Sequence, residues 1–380
     1  MNKVSLRIAD LRKKAKVTQQ ELADSIGVSF QTISKWETGV NMPDITILPL
    51  LADYFKVSTD QLLGLKPLDG EIYIPEKTAT KDFWNQKLEY LLRTRKSYWN
   101  DDYAHFLISQ VWKIDKPISV LDCGCGYGFL GLLLLPYLPE GSTYTGIDFA
   151  EDLIKKGKTL FESQKIVADF LCENVFEYSA ENQYDFVVCQ AVLRHLDNPA
   201  AFIQKMIQFA KPGGYVVCID VNREFECCGL YIDGMDYQEL CRHEGLEKKW
   251  QTELAMQGRD YAVAIRTAHI MQKLGLIDID VRMDDKVEFV TTQSANYEET
   301  KSDFIIYNDW TSGISDEQKE MLILHLLNHG LSHKEAEDYC NRNIEIADFF
   351  ADNPTAGYTF VKGKMITYGR KTGKKANTSA

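Results

Sequence analysis

No apolar run in this 380-residue sequence is long enough to cross a membrane. The longest, Phe129 to Leu138, is interrupted by Gly131 and Pro136 and falls well short of the ~20 residues a span requires. The first sixteen residues carry scattered charge and no apolar signal core, so export is not expected and a cytoplasmic location is. Also missing is any C-x-x-C pair. The nine cysteines stand at 123, 125, 172, 189, 218, 227, 228, 241 and 340, an odd count without the spacing of a disulfide scaffold, which implies reduced thiols. Cys227, Cys228, Cys241 and His243 form the one grouping that suggests metal ligation, but buried free thiols account for them better, and no metal is expected. An excess of positive charge is lacking too: the formal net charge is −12. Residues 1–66 hold nine Lys/Arg against seven Asp/Glu, a local +2, which leaves −14 for the remainder. Any nucleic-acid contact must therefore come from the front end, where Arg12, Lys13, Lys14 and Lys16 cluster.

What is present reads as two domains. In residues 1–64 five short helical patterns are separated by tight turns. The second opens at Thr18 with Glu21 three residues on, a capping box, and stops at Gly27. The third opens after Ser29 and offers Ile33 and Trp36 to a core before Gly39. Only Ile26 to Ser29 separates these two helices, and so short a turn forces the steep crossing of a helix-turn-helix. A fourth helix occupies Asp44 to Phe55, its regular part starting near Thr46 so that Pro49 falls in the first turn, and a fifth is capped by Ser58 and ends at Gly64.

The string TQQELADSIGVSFQTISKWETG followed by MPDITILPLLADYFKVSTDQLLG resembles the lambda-repressor-like, Cro-type (XRE) family over nearly the whole segment. The resemblance implies that the third helix enters the DNA major groove, with Phe30, Gln31, Thr32 and Lys35 reading bases and Gln19 and Ser29 gripping phosphates. It also implies a double-stranded operator and a homodimer, because one such module makes few contacts.

Residues 65–81 read as a linker, and residues 82–372 as the larger domain, followed by a disordered tail, 373–380. Asp82 to Trp112 is helical and aromatic, suited either to a core or to covering a ligand. Strands and helices then alternate, the pattern of a parallel sheet covered on both faces. The expected strands are 118–122, 143–148, 165–170, 185–190, 215–220, 277–283 and 359–368, with helices starting near Phe129, Glu151, Pro199 and Tyr261.

The strongest chemical signal is VLDCGCGYGFLG at 120–131, where a strand ends at Asp122 and glycines let a ligand approach the backbone. Gly126, Gly128 and Gly131 also spell the dinucleotide pattern G-x-G-x-x-G, and Asp148 at the next strand's end fits either ligand. Asp169, expected to end the third strand, favours an adenosyl ligand. YDFVVCQAVLRHLDNPAAF and KPGGYVVCID then resemble the class I S-adenosylmethionine-dependent methyltransferases, particularly the ubiquinone and menaquinone biosynthesis type, over about residues 98–284 and the last strand.

The resemblance implies an α/β Rossmann-like, seven-stranded domain with helical insertions, preceded by the small all-α module. It implies S-adenosylmethionine as cofactor and S-adenosylhomocysteine as product. Asp122, Cys123, Gly124 and Gly126 would hold the cofactor's amino-acid portion, Asp148 the ribose with Phe149 beside the adenine, Asp169 and Phe170 the adenine edge, and Gln190 with Ala191 the channel below the sulfonium. His195 is the candidate base, or else a packing histidine. The acceptor reads as a small molecule: Cys189-Gln190-Ala191-Val192 stands where base-modifying enzymes carry a D/N-P-P-Y-like turn. The insertions 221–258 and 286–355 would form its lid. The alternative is a regulator that uses the fold as a cofactor or metabolite sensor without turnover; a nicotinamide oxidoreductase is a weaker third reading.

Overall fold

The computed structural model describes residues 6–64, 80–181, 183–242 and 245–373. The greater part of the expected linker, the tail beyond 373 and His243 lie outside the described residues.

In chain order the helices begin with α1 (Ile8–Lys14), α2 (Gln19–Ile26), α3 (Phe30–Glu37), α4 (Leu48–Phe55) and α5 (Thr59–Leu62). Their starts follow the sequence signals: Thr18 and Glu21 form the reciprocal capping box, Gly27 stops α2 at φ +76°, and Ser29 caps α3. The start of α4 is two residues later than expected, because the Asp44 carboxylate accepts the Thr46 backbone N–H and hydroxyl and holds a turn there. Leu11, Leu22, Ile33, Trp36, Leu51 and Leu62 close one small core.

Next come α6 (Lys81–Asn85), α7 (Leu88–Thr94), α8 (Asp101–Phe106), β1 (Ser119–Cys123), α9 (Phe129–Leu134), β2 (Thr143–Asp148), α10 (Glu151–Ser163), β3 (Asp169–Cys172), β4 (Tyr184–Gln190), α11 (Pro199–Phe209) and β5 (Ala210–Val221). Then follow α12 (Arg223–Cys228), β6 (Leu230–Ile232), α13 (Tyr237–Leu240), α14 (Leu246–Gln257), α15 (Val263–Lys273), β7 (Ile277–Met283) and β8 (Val287–Val290). The chain continues with α16 (Tyr297–Tyr307), α17 (Asp316–Asn328), α18 (His333–Asp352), β9 (Tyr358–Val361) and β10 (Lys364–Arg370). The main sheet has seven strands in the order β3-β2-β1-β4-β5-β10-β7, with β10 antiparallel to both neighbours. The strand order reverses between β1 and β4, and such a switch point leaves a crevice at the strands' carboxyl ends. Apolar layers cover both faces of this sheet. A second, three-stranded sheet is ordered β6-β9-β8.

Two strand expectations are corrected. β3 begins at Asp169, not Lys165, because the Lys165 and Ile166 backbone N–H groups fold back onto Glu162 and Phe161 of α10. This is a helix C-cap with Lys165 at φ +57° where glycine is usual. The expected strand 359–368 is two strands in different sheets, separated at Lys362 and Gly363, the latter at φ +63°.

Contacts divide the chain into two compact units. The first contains the described residues of 6–64 together with 245–252 and 313–345; the second contains 80–242, 253–312 and 346–373. The segment 286–355, expected to act as one lid, is thus divided between them. Within the first unit the Asp10 carboxylate accepts the His333 backbone N–H at 3.2 Å, Lys13 Nζ lies 3.7 Å from Glu337, and Lys248 donates to both oxygens of Glu335 at 2.7 and 2.9 Å. Burial raises the pKa of Asp10 despite its cationic neighbours.

Replacing Lys165 by glycine removes a left-handed strain of about 1 kcal/mol. Urea unfolding of Lys165→Gly is expected to shift to higher midpoint with unchanged slope; a lower midpoint would contradict the cap.

Candidate functional site

The carboxyl ends of β1, β2 and β4 open on one cavity, lined among others by Asp122, Gly124, Gly126, Asp148, Phe149, Gln190, Ala191 and His195. Gly124 and Gly126 hold φ +76° and +56°, and a Cβ on Gly124 would stand 2.7 Å from Val192, so the wall requires glycine there. The Gly124 and Cys125 N–H groups both donate to the Ile147 carbonyl, at 2.8 and 3.1 Å, which bends the chain away from β1. Ala191 has φ +56°, an uncommon conformation for a side chain with a Cβ, and its N–H donates to Ile219 O at 2.8 Å.

Asp122 is 1% exposed. Its Oδ2 accepts the Tyr144 hydroxyl at 2.8 Å, while its Oδ1 is buried with no hydrogen-bond partner among the described residues. Burial pushes its pKa up to about 7, opposed by the Tyr144 hydrogen bond and assisted by the nearby Asp148 charge. Asp148 is pinned by the Gly126 N–H on Oδ2 and the Ala150 N–H on Oδ1, both at 2.9 Å, leaving a further lone pair on each oxygen. Burial is the largest influence on it and raises its pKa.

The aromatic segment divides between a core and the cavity wall. Tyr98, Trp99 and Trp112 are buried in the core, whereas Trp84, Leu91 and Arg95 line the cavity. The Trp84 ring meets His195 edge-on at 5.0 Å, and Trp99 Nε1 donates to Gln190 Oε1 at 2.8 Å. The Arg95 guanidinium lies 4.3 Å from the Tyr98 ring centroid and has no carboxylate partner among the described residues. Sequence reasoning passed over Arg95, because nothing local marks it.

Three of the expected ligand residues are not on the cavity wall. Cys123 alternates with Asp122 along β1 and is buried in the opposite layer beside Cys189 and Cys218. Phe170 packs against Phe161 and fills the space over Gly128 and Gly157. Asp169 is exposed at the start of β3, paired with Thr145, three residues and about 10 Å from the level of Asp148. The residue level with the end of β2 is Cys172, and Glu173 follows it with its N–H donating to Asp148 O at 3.0 Å. Glu173 therefore occupies the strand-end position expected of Asp169. Among the described residues no cluster able to hold a metal is found.

These residues fit a zwitterionic adenosyl ligand. The unsatisfied oxygen of Asp122 complements an ammonium, the unpaired guanidinium of Arg95 complements a carboxylate, and the side-chain-free Gly124 gives backbone access between them.

In the first unit, Ser29, Phe30, Gln31 and Lys35 are exposed on α3, Phe30 by 43%. Thr32 is engaged in the cap, its N–H and hydroxyl both meeting Ser29 Oγ. Gln19 Nε2 donates to Glu37 Oε2 at 2.6 Å, which leaves one amide N–H for another acceptor. Arg12 also binds Glu37, through Nε at 2.6 Å and Nη2 at 3.0 Å, so Glu37 ties α1, α2 and α3 together. No helix among the described residues is long and apolar enough to cross a membrane.

A family model described as a methyltransferase domain matches residues 91–281, half of the chain, and a helix-turn-helix model matches residues 8–62. The chain is 31% identical over 123 residues to the ubiquinone biosynthesis O-methyltransferase of Coxiella burnetii, covering 32% of this chain and 51% of that protein. It is 32% identical over 121 residues to the Klebsiella pneumoniae enzyme of that name, covering 31% and 49%. The chain thus spans about half the length of these curated relatives. Among solved structures it is similar to the [4+2]-cyclase SpnF, at 16% identity and TM-score 0.43 over 78% of this chain and 97% of that one. It is also similar to phosphoethanolamine N-methyltransferase 2 of Haemonchus contortus, solved with S-adenosyl-L-methionine, at 13% identity and TM-score 0.41 over 78% and 58%.

Asp122 carries a pH signature. Its pKa stands above the ordinary 3.8, so its contribution to stability is fully present below that value and is lost as pH rises to about 7. Asp122→Asn is expected to be more stable than the parent above pH 7, by up to about 4 kcal/mol, with the difference vanishing near pH 4. Urea titrations across that range measure it, and a pH-independent difference would contradict the burial.

Proposed function

The chain belongs to the methyltransferase-domain family, and from that premise we propose that it methylates a small molecule while its helix-turn-helix module binds an operator. S-adenosylmethionine is the methyl donor and S-adenosylhomocysteine the product. The observation that carries the reading is that one cavity holds both the Asp122 carboxylate, whose Oδ1 has no partner among the described residues, and the Arg95 guanidinium, which has no carboxylate partner among them.

In this reading Asp122 receives the cofactor's ammonium and Arg95 its carboxylate, while the backbone at Gly124 and Gly126 holds the chain between them. Asp148, held by two N–H groups, offers its remaining lone pairs to the ribose hydroxyls. Phe149, on the cavity wall, packs beside the adenine, and Glu173, outside that wall but level with the strand ends, stands in the position first expected of Asp169. Gln190 and Ala191 line the channel toward the acceptor. The bound cofactor supplies a methyl group already activated on a sulfonium, so the chain's task is to hold the acceptor in line with it and to exclude water.

On α3, the exposed Gln31 suits paired hydrogen bonds to adenine and Lys35 suits guanine acceptors. Phe30 suits a thymine methyl. Ser29, Thr32 and the second amide hydrogen of Gln19 serve the cap and the phosphates. A homodimer on repeated half-sites follows from how few contacts one module makes, and a cytoplasmic setting accords with nine cysteines that lack the spacing of a disulfide scaffold.

Titration calorimetry tests the enzymatic half: S-adenosylhomocysteine binds the parent protein, and Asp122→Asn and Arg95→Ala each weaken it about tenfold or more. Because the ligand's ammonium requires the ionised carboxylate, affinity also falls as pH drops from 7.5 toward 5.5. No heat with either S-adenosyl compound refutes the assignment. For the other half, Gln31→Ala is expected to cost about 1–3 kcal/mol and to relax base preference at one position, whereas Gln19→Ala weakens all sequences alike. Selected-operator gel shifts read both, and equilibrium sedimentation reads the dimer.

A further inference from the structure

We infer that the methyl acceptor reaches this cavity as an organic carboxylate, held by the amide hydrogens of Gln190, with no described residue of the cavity wall acting as its base. The inference rests on reading the cavity as the S-adenosylmethionine site.

The first observation is the orientation of Gln190. An indole N–H can only donate, so the bond from Trp99 Nε1 fixes Gln190 with its oxygen toward Trp99. Both amide hydrogens are left for the cavity it lines. The second concerns His195. Its Nε2 accepts the Arg194 Nε–H at 3.3 Å, and a guanidinium cannot accept in return. The lone pair a base would use is therefore occupied. His195 is thus a wall of the acceptor site rather than its proton acceptor.

Among the described residues of the cavity wall no other group fills that role. Asp148, held by two backbone N–H groups, is committed to the ribose hydroxyls. Asp220 is buried, its oxygens accepting the Leu193 and Val221 N–H groups, with Arg194 at 3.9 Å. Burial pushes the Tyr127 hydroxyl up to about 12, and raises the Cys125 thiol, so both keep their protons. Asp122 is committed to the ammonium. A phenol or a protonated amine would have to lose a proton that no described residue of the cavity wall is placed to take. A carboxylate brings none. One of its oxygens forms the bond to the methyl carbon, the carbon–sulfur bond breaks with its electron pair left on sulfur, and anion plus cation give a methyl ester and neutral S-adenosylhomocysteine. The apolar faces of Trp84, Phe129 and Leu196 suit an apolar body on the acid.

The test uses the full chain saturated with S-adenosylhomocysteine and three probes of like shape: benzoate, phenol and benzylamine, followed by saturation-transfer NMR and calorimetry. Benzoate is expected to bind about tenfold tighter than either other probe, as a charge-assisted hydrogen bond requires. Gln190→Glu keeps an acceptor for Trp99 while replacing the amide hydrogens with negative charge, and should reverse the order of benzoate and benzylamine. With S-adenosylmethionine the product is methyl benzoate. Failure to bind S-adenosylhomocysteine removes the cofactor reading itself. Binding of S-adenosylhomocysteine with phenol or benzylamine preferred, with no benzoate bound, or with an unchanged order in Gln190→Glu, overturns the carboxylate inference and leaves the cofactor reading standing.

Discussion

Asp122 sits at the tip of a strand whose last four residues are buried, with one carboxylate oxygen bonded to Tyr144 and the other without a hydrogen-bond partner among the described residues. A group in that position is costly to ionise, and its pKa near 7 expresses the cost. The surrounding geometry follows from keeping this carboxylate accessible to a ligand. Gly124 and Gly126 turn the chain sharply beyond it, Ile147 receives two N–H groups from that turn, and Asp148 anchors the turn's far side. In a fold that accepts this cost, binding a cation at Asp122 returns stability, so affinity and fold strength are linked at one atom.

The same economy of polar groups marks the far end of the cavity. Gln190 is oriented by an indole that can only donate, and His195 by a guanidinium that can only donate. Neither residue is free to choose its partner. Lys364 lies 3.8 Å from the Trp99 ring centroid and 3.2 Å from Asp284, and burial lowers its pKa to about 7. The support behind Gln190 therefore reaches from the antiparallel strand β10 to the end of β4. Long-range contacts of Trp99 with Gln190 and Lys364, and the bond between the neighbours Arg194 and His195, shape this end of the cavity.

The first unit is organised around a different carboxylate. Glu37 takes both Arg12 and Gln19, fixing three helices by charge-assisted bonds while leaving the outer face of α3 exposed. That rigidity suits a surface meant to meet another surface without rearranging. Residues 313–345, far along the chain, join this unit through Asp10, Lys13 and Lys248, so the module is larger than its five helices.

Local chemistry made much of this legible. Thr18 with Glu21, Ser29 and Ser58 announce helix starts, Gly27 announces a stop, and the run from Val120 to Gly131 marks a strand, a ligand-accessible turn and a helix, because each depends on neighbours within four residues. The misreadings share a cause. Lys165 caps α10 in a conformation usually given to glycine, so nothing in its identity signals the stop, and Asp169 was read at the wrong end of β3. The break at Lys362 and Gly363 separates two sheets that only long-range pairing can distinguish. Arg95 and Glu173 had no local mark; the first is defined by the carboxylates it lacks, the second by register against β2. The sequence by itself determined the two domain types, the helix caps and the residues of the glycine turn, since these are set by backbone preference and short-range hydrogen bonding. Which carboxylate is left unsatisfied, which cation is left unpaired and which way Gln190 faces were decided only by tertiary structure, because each depends on groups tens of residues away that either arrive or do not.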